Sequence, residues 1–388
     1  MEPYLPNYLK GKNRRLVFDL LRERGQMSRA EITRDTGMSF PTAMKVVDAF
    51  LEKGLLVELD ETGPAAGAGR KGRLLRFEPG AYRAVGVECE GRFARVGLAD
   101  MAGGVQARET IELGDFARTR DLSPLAAAIR RMCAAANGAP VLGVCIGFPA
   151  NLDPDAAAIV SYAAMDIQQP TSFAQVFPAF WREVELPVYL ENDANLACEG
   201  EAFLRRGAGG AANMLYLSIG SGCGGAVRLD GKLRRGARCR AGEVGAMLLQ
   251  PALGAPGRSA ARETLEDAVC LAALERRFGA ALRDGAQPGE ASAQAMRDYL
   301  CGPLSGAVYS LVMTLDVELC VLAGIVPGAL GMQLCTQVSE ALRAALPEST
   351  PVRVEPSVSA DAGVIGAAAT VFELSLIHIS EPTRHAQI

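Results

Sequence analysis

The apolar positions near the N-terminus recur at helical spacing. From Asn13, Leu16, Val17, Leu20 and Leu21 mark one helical face, and Gly25 stands where a C-cap tolerates positive φ. Residues 1–12 ahead of it are expected to form a loose arm. Ser28 and Glu31 have the spacing of a capping box and open a second helix that ends at Thr36-Gly37. Ser39 is the next N-cap, and a third helix from about Phe40 to Lys53 buries Val46, Val47, Phe50 and Leu51 before Gly54 stops it. Leu55 to Leu59 and Arg73 to Phe77 then read as two strands, joined by a glycine-rich loop whose tip carries Arg70, Lys71 and Arg73. Helix, glycine turn, helix and basic wing form a winged helix-turn-helix pattern, whose second helix lies in the major groove of DNA. The early positions Phe40, Thr42, Ala43 and Lys45 would face base edges and phosphates. The competing reading is a small helical bundle with a solvated basic loop.

From Ala84 the period shortens to that of strands. Ala84 to Cys89, Ala94 to Ala99 and Val105 to Leu113 predict three antiparallel strands, followed by a helix over Ser123 to Ala136 and a buried strand, Val141 to Ile146. Residues 151–180 read as loop-rich, with Trp181 on a helix before the strand Val188 to Leu190. A helix over Leu196 to Leu204 and a strand over Met214 to Ile219 follow. Further on, one helix carries Glu263 and Glu266, and two more cover Ser292 to Leu300 and Gly302 to Leu315. Leu319 to Ala323 and Val352 to Glu355 read as strands, Ser339 to Ala345 and Gly363 to Phe372 as helices. Each half of this body starts from antiparallel strands, which suggests a duplicated, actin-like α/β architecture with two lobes and a central cleft. The expected divisions are a head over 1–80, lobes over 81–190 and 191–374, and a tail over 375–388.

Composition sharpens this division. The 388 residues are 49% hydrophobic and 22% charged, with a formal net charge of −4. Residues 1–80 hold 14 Lys and Arg against 11 Asp and Glu, so a basic head sits on an acidic body and only the head points to nucleic acid. No apolar run reaches the roughly 18 to 20 residues of a membrane span, and the N-terminus lacks a signal pattern; a cytoplasmic protein is expected. The ten cysteines are scattered without a C-x-x-C, which fits reduced thiols. His378 and His385, the two histidines, fall in S-L-I-H-I-S-E-P-T-R-H-A-Q-I, a stretch that breaks the body's composition and reads as foreign to it, the competing reading being a native flexible tail.

The candidate chemistry lies between Leu190 and Met247. An apolar strand runs into Glu191, Asn192, Asp193 and Asn195, and a second strand enters Gly220, Gly222, Gly224 and Gly225. Asp230-Gly231 makes a hairpin turn, and Glu243 sits in A-G-E-V-G. Polar groups where a strand hands over to a helix lie at the mouth of an α/β sheet. Carboxylates and amides in that place pair with vicinal hydroxyls. Capping of the following helix would explain Asp193 alone, but not Asn192 and Glu243 as well.

Taken in order, S-R-A-E-I-T-R-D-T-G-M-S, E-N-D-A-N, S-I-G-S-G-C-G-G and A-G-E-V-G resemble the ROK family (repressor, open reading frame, kinase) over about residues 13–374. The resemblance implies that Asn192, Asp193, Glu243 and Glu266 bind sugar hydroxyls, and that Asp193 would be the general base if the protein were a kinase. Three departures weigh against a kinase. The family's kinases have a D-x-G-G-T loop near the ATP phosphates; here Gly86 to Arg92 reads G-V-E-C-E-G-R, with Glu90 for a glycine and Arg92 for the threonine. Two anions about 4 Å apart repel by roughly 1 kcal/mol in water and about 4 at an effective dielectric of 20. Arg92 would offset part of that repulsion but also block close backbone approach. The family's zinc site needs a histidine where Ala246 stands and a cysteine cluster that Gln250 to Arg262 lacks, so no zinc is expected. Leu322-Ala323-Gly324 replaces a double glycine, a mild change.

The expectation is therefore a sugar-responsive DNA-binding transcriptional regulator, a repressor, that senses a sugar or derivative without phosphorylating it and needs neither zinc nor ATP. Its partners would be operator double-stranded DNA, the sugar effector and further copies of itself in a homodimer or higher homo-oligomer. The alternatives are an ATP-dependent sugar kinase with a regulatory head, and an architectural DNA binder with a ligand-free body.

Overall fold

The computed structural model describes residues 5–62, 73–206, 210–249, 263–279, 282 and 288–378. The head comprises α1 (Leu5–Arg24), β1 (Gln26–Ser28), α2 (Arg29–Thr36), α3 (Phe40–Glu52), β2 (Leu56–Thr62) and β3 (Arg73–Phe77). Gly25, at φ 74°, ends α1 as its sequence position predicts. From Leu5 on, the expected loose arm is instead the start of α1, residues 1–4 lying outside the described residues; Pro6 falls in the first turn, where its missing N–H costs nothing. Ser28 and Glu31 form the capping box, with Ser28 N–H donating to Glu31 Oε2 at 2.8 Å and Glu31 N–H donating to Ser28 Oγ at 3.3 Å. Ser39 makes no side-chain cap; its hydroxyl meets that of Thr42 at 2.8 Å. The strands pair antiparallel in the order β1-β3-β2. The three-residue β1, too short to show an alternation, was not expected.

The first lobe begins with β4 (Arg83–Glu90), β5 (Phe93–Asp100) and β6 (Val105–Glu112), then α4 (Phe116–Thr119), α5 (Ser123–Ala134) and β7 (Val141–Phe148). The stretch expected to be loop-rich holds a small antiparallel sheet, β8 (Asn151–Asp153), β9 (Ala158–Ser161) and β10 (Thr171–Ser172), followed by α6 (Phe173–Val176) and α7 (Pro178–Glu183). Phe148, Phe173, Phe177 and Phe180 fill the space beneath it. β11 (Val188–Asn192) then passes directly into α8 (Asp193–Leu204), which starts three residues earlier than its apolar spacing suggests.

The second lobe comprises β12 (Met214–Ile219), β13 (Cys223–Leu229), β14 (Lys232–Arg234), α9 (Leu265–Val269), α10 (Leu271–Phe278), α11 (Glu290–Leu315), β15 (Leu319–Ala323), α12 (Ile325–Leu330), α13 (Met332–Ala345), β16 (Arg353–Pro356) and α14 (Ala362–His378). Asp230 and Gly231 make the expected hairpin turn, both at positive φ (54° and 68°). The two helices expected around Gly302 are one: Pro303 lies inside α11, and buried Leu300, Leu304, Ala307 and Val308 hold both sides of it on the lobe's core. Glu263 precedes α9 rather than riding on it; its carbonyl accepts from Leu249 N–H at 3.0 Å.

The lobes share one topology. Their sheets run β11-β7-β4-β5-β6 and β14-β13-β12-β15-β16. In each, the first strand pairs antiparallel with the second and parallel with the fourth. This is the duplication that the strand pattern implies. The helices α8 and α14 cross in backbone contact between them. A Cβ on Gly200 would stand 1.8 Å from the Ala362 carbonyl oxygen, and one on Gly366 1.9 Å from that of Leu196. Glycine is obligatory at such a crossing. The head shares its apolar core with this pair: Val17, Phe18 and Leu21 of α1 join Leu196 of α8 and Val371 and Phe372 of α14 in one cluster. Residues 375–378 continue α14; the rest of 375–388 lies outside the described residues. Among the described residues no helix is long and apolar enough to cross a membrane.

Candidate functional site

The ends of β4, β7, β11 and β12 converge on a cavity of about 820 Å³ between the lobes, and Asn192, Asp193, Glu243 and Glu266 all line it. Residues expected to act together are thus brought together. The E-N-D-A-N segment divides its labour. Asn192 is the N-cap of α8, its Oδ1 accepting from Asn195 N–H at 3.2 Å while its Nδ2 donates to the Ala150 carbonyl at 3.3 Å. Glu191 is buried and ties the turn together, accepting from Asn192 N–H and Asn195 Nδ2, both at 2.9 Å, and from Arg235 Nε at 2.6 Å. Capping falls to Asn192, so Asp193 is released from that structural task. One Asp193 oxygen accepts from Ala194 N–H at 2.9 Å and the carboxylate faces the cavity.

The Asp193 carboxyl is pushed up to about 7. Burial among protein groups is the main cause, opposed by the Ala194 N–H and reinforced by repulsion from Glu88 and Glu90. Glu243 is likewise raised, first by burial, with Arg240 opposing and Glu266 adding repulsion. Glu266 is anchored to the glycine turn, its Oε2 accepting from Cys223 N–H at 2.8 Å. Asn151, which sequence reasoning missed, holds Glu243. With its amide turned to satisfy its neighbours, Nδ2 donates to Glu243 Oε1 at 2.6 Å and to the Cys239 carbonyl at 3.2 Å, and Oδ1 accepts from Ser161 Oγ at 3.1 Å. The signal for it was its place just past the G-F-P end of β7, at the mouth of the sheet.

The upstream wall belongs to β4. Glu88 and Glu90 both line the cavity, and Glu90 reaches across it: a Cβ on Gly220 would lie 3.1 Å from Glu90 Oε1. Arg95 is their counter-ion, at 3.0 Å from Glu88 and 3.4 Å from Glu90. Burial still raises the Glu88 carboxyl despite Arg95. The expected part for Arg92 is corrected here. Its side chain is 70% exposed and pairs with Glu112 at 2.7 Å, because residue 92 starts the outward turn into β5. Arg92 neither offsets Glu90 nor obstructs the cleft. The Glu90 carboxylate stands opposite the facing glycine turn and would oppose the charge of a phosphate brought between them. Among the described residues no group of three or more His, Cys, Asp or Glu side chains could hold a metal ion.

On the head, Phe40 is 56% exposed, Lys45 is exposed and Thr42 is partly so, all on the first turns of α3. Ala43 was expected on that face and is fully buried; the helical period turns it inward with Val46 and Val47. Arg70 and Lys71 lie outside the described residues.

The duplicated lobes, the cleft between them and the E-N-D-A-N and A-G-E segments that line it define the class, and the ROK family model matches residues 84–373. The chain belongs to the ROK family. It is 27% identical to the xylose repressor of Caldicellulosiruptor bescii over 61% of this chain and 58% of that one. It is 34% identical to a glucokinase of Halalkalibacterium halodurans over 34% of this chain and 40% of that one. The chain therefore spans less than two thirds of the length of these relatives. In fold it is similar to a ROK family transcriptional regulator described as a homolog of the E. coli MLC protein, with TM-score 0.74 over 96% of this chain and 97% of that one, at 16% identity.

Proposed function

We propose that the chain is a DNA-binding transcriptional regulator, acting as a repressor, whose body senses a sugar or sugar derivative without phosphorylating it. The observation that carries the reading is the Glu90 carboxylate, which faces the second lobe's glycine turn beside an intact set of hydroxyl-binding groups, Asn192, Asp193, Glu243 and Glu266. The site keeps what recognises a polyol and repels what would transfer a phosphate. Residues 1–80 then act as a winged helix-turn-helix, with Phe40, Thr42 and Lys45 entering the major groove and Arg70 and Lys71 reaching phosphates or the minor groove. A homodimer would present two heads to a two-fold operator in the cytoplasm, with neither zinc nor ATP required. Similarity to a xylose repressor and to a regulator's fold over nearly the whole chain supports this.

A route for the signal supports it as well. The first residue of α8 is Asp193, at the cleft, and its far end touches the head. Arg22 of α1 stacks over Phe203 at 4.4 Å, Arg206 stacks on the same ring at 4.7 Å, and Arg206 pairs with Asp19 of α1 at 3.4 Å. A ligand that closes the cleft shifts this joint by its preference for one state, about 10⁴-fold to move a population from 1:99 to 99:1. The test is retardation of the gene's own upstream DNA by the full chain. The reading requires a shift that weakens with salt and is relieved by a sugar; no shift at low salt would sink it.

A kinase is the second reading because Asp193 lines the cavity while Asn192 takes the N-cap of α8, and the raised Asp193 carboxyl suits a general base.

A further inference from the structure

The charge of the cleft walls says more than that a polyol enters. Six acidic side chains line the cavity, Glu88, Glu90, Asp166, Asp193, Glu243 and Glu266, against one basic side chain among the described lining residues, Arg240. Arg95 compensates Glu88 and Glu90 from behind, without lining the cavity itself. Asp193 spends one oxygen on Ala194 N–H at 2.9 Å, and Glu266 one on Cys223 N–H at 2.8 Å. A carboxylate has about four acceptor sites, so this wall asks for hydrogen-bond donors.

We propose that the ligand of the cleft is a polyol bearing a protonated amine, an amino sugar or a related aminopolyol, with its ammonium seated between Glu90 and Asp193. The inference rests on the sensing reading and specifies its ligand. An ammonium group brings three donors and a positive charge to the acceptors of this wall. A sugar phosphate or a sugar acid would add a further anion to a wall already repelling itself. A neutral sugar would satisfy hydrogen bonds but leave the charge uncompensated. A bare metal ion is a poor occupant, since these carboxylates do not converge as a metal-binding group. Glu243, Glu266 and Asn192 on the other walls are left for the hydroxyls. Glu88, Cys89, Glu90, Arg95 and Tyr162 of the first lobe and Tyr216 of the second are charged or titratable groups around Asp193.

The experiment is calorimetric titration of the full chain with matched pairs: glucose and glucosamine, galactose and galactosamine, mannose and mannosamine, with glucose 6-phosphate and glucuronate as anionic members. At least one amino sugar is expected to bind about tenfold or more tightly than its hydroxyl partner, the size of one charged hydrogen bond. That gap should narrow with rising salt in the unaltered protein and close in Glu90→Gln, which keeps shape but removes charge. The salt series needs no variant, so the proposal stays testable if Glu90→Gln fails to fold. If no amino sugar exceeds its partner, or an anionic sugar binds best, the proposal is wrong. Binding of neutral sugars alone would overturn the inference and leave the sensing reading standing. Binding of none would count against both.

Discussion

Each lobe sends its first strand to the cleft and turns there, and the two turns differ. In the first lobe β4 ends in Glu90 before Gly91, at φ 58°, and β5 begins. In the second, β12 ends at Ile219 and passes through Gly220, Ser221 and Gly222, where a Cβ on Gly222 would stand 2.8 Å from Glu266 Oε2. Strand order and pairing are the same in both lobes. The backbone therefore repeats while the chemistry does not: one turn opens space and offers backbone, the other fills that space with a carboxylate. Duplicated topology sets where a ligand sits, and single side chains at the turns decide what it is.

The comparison can be broken most severely through the packing behind the first turn. A Cβ on Gly86 of β4 would lie 2.0 Å from the Val364 carbonyl oxygen of α14. Gly86→Ala should cost about 3 kcal/mol in denaturant unfolding, because backbone has to move. A loss under about 0.5 kcal/mol would mean that the two elements are not packed as described. Next comes Arg95→Met, which leaves Glu88 and Glu90 beside each other without a cation. It should cost about 2 kcal/mol at neutral pH, less than a fully buried pair, and recover part of that on acidification.

Asp193 sharpens the contrast through pH. Its carboxyl lies above the ordinary value of 3.8, at about 7, so the protonated form is favoured by folding. Its contribution to stability is complete below about 3.8 and is lost as pH rises through about 7. Asp193→Asn should therefore raise the stability of the free protein by about 1 kcal/mol above neutrality, with the gain vanishing in acid, even as ligand affinity falls. A variant less stable than the parent at alkaline pH would contradict the assignment. The smallest effect is expected at Arg92→Ala, which breaks an exposed pair with Glu112 and should change stability by less than about 0.5 kcal/mol and ligand affinity not at all. Measurable loss of binding there would return Arg92 to the cleft.

The sequence made the scaffold legible where local chemistry acts alone. Ser28 and Glu31 announce their helix by spacing, Asp230-Gly231 its turn, and the alternation from Ala84 onward the strands of the first sheet. It failed where distant contacts decide. The helix α11 runs through Pro303 because buried residues on both sides hold it, and α1 begins earlier than its apolar stripe. At the site, Asn192, Asp193 and Glu243 stand out as polar groups beside strand ends and glycines, whereas Glu266 comes only from the resemblance to the ROK family. Asn151 and Arg95 do not, since each matters only through a partner far along the chain, Glu243 for one and Glu88 for the other. The direction in which Arg92 points follows from the turn at Gly91, which its identity does not encode.

The central claim is that this cleft binds a sugar and does not phosphorylate it. A coupled assay of ATP consumption by the full chain, run over a panel of neutral and amino sugars, tests it most directly. The account predicts no sugar-dependent turnover above the background of the Asp193→Asn variant. Turnover with any sugar that Asp193→Asn abolishes would contradict it and make the protein a kinase.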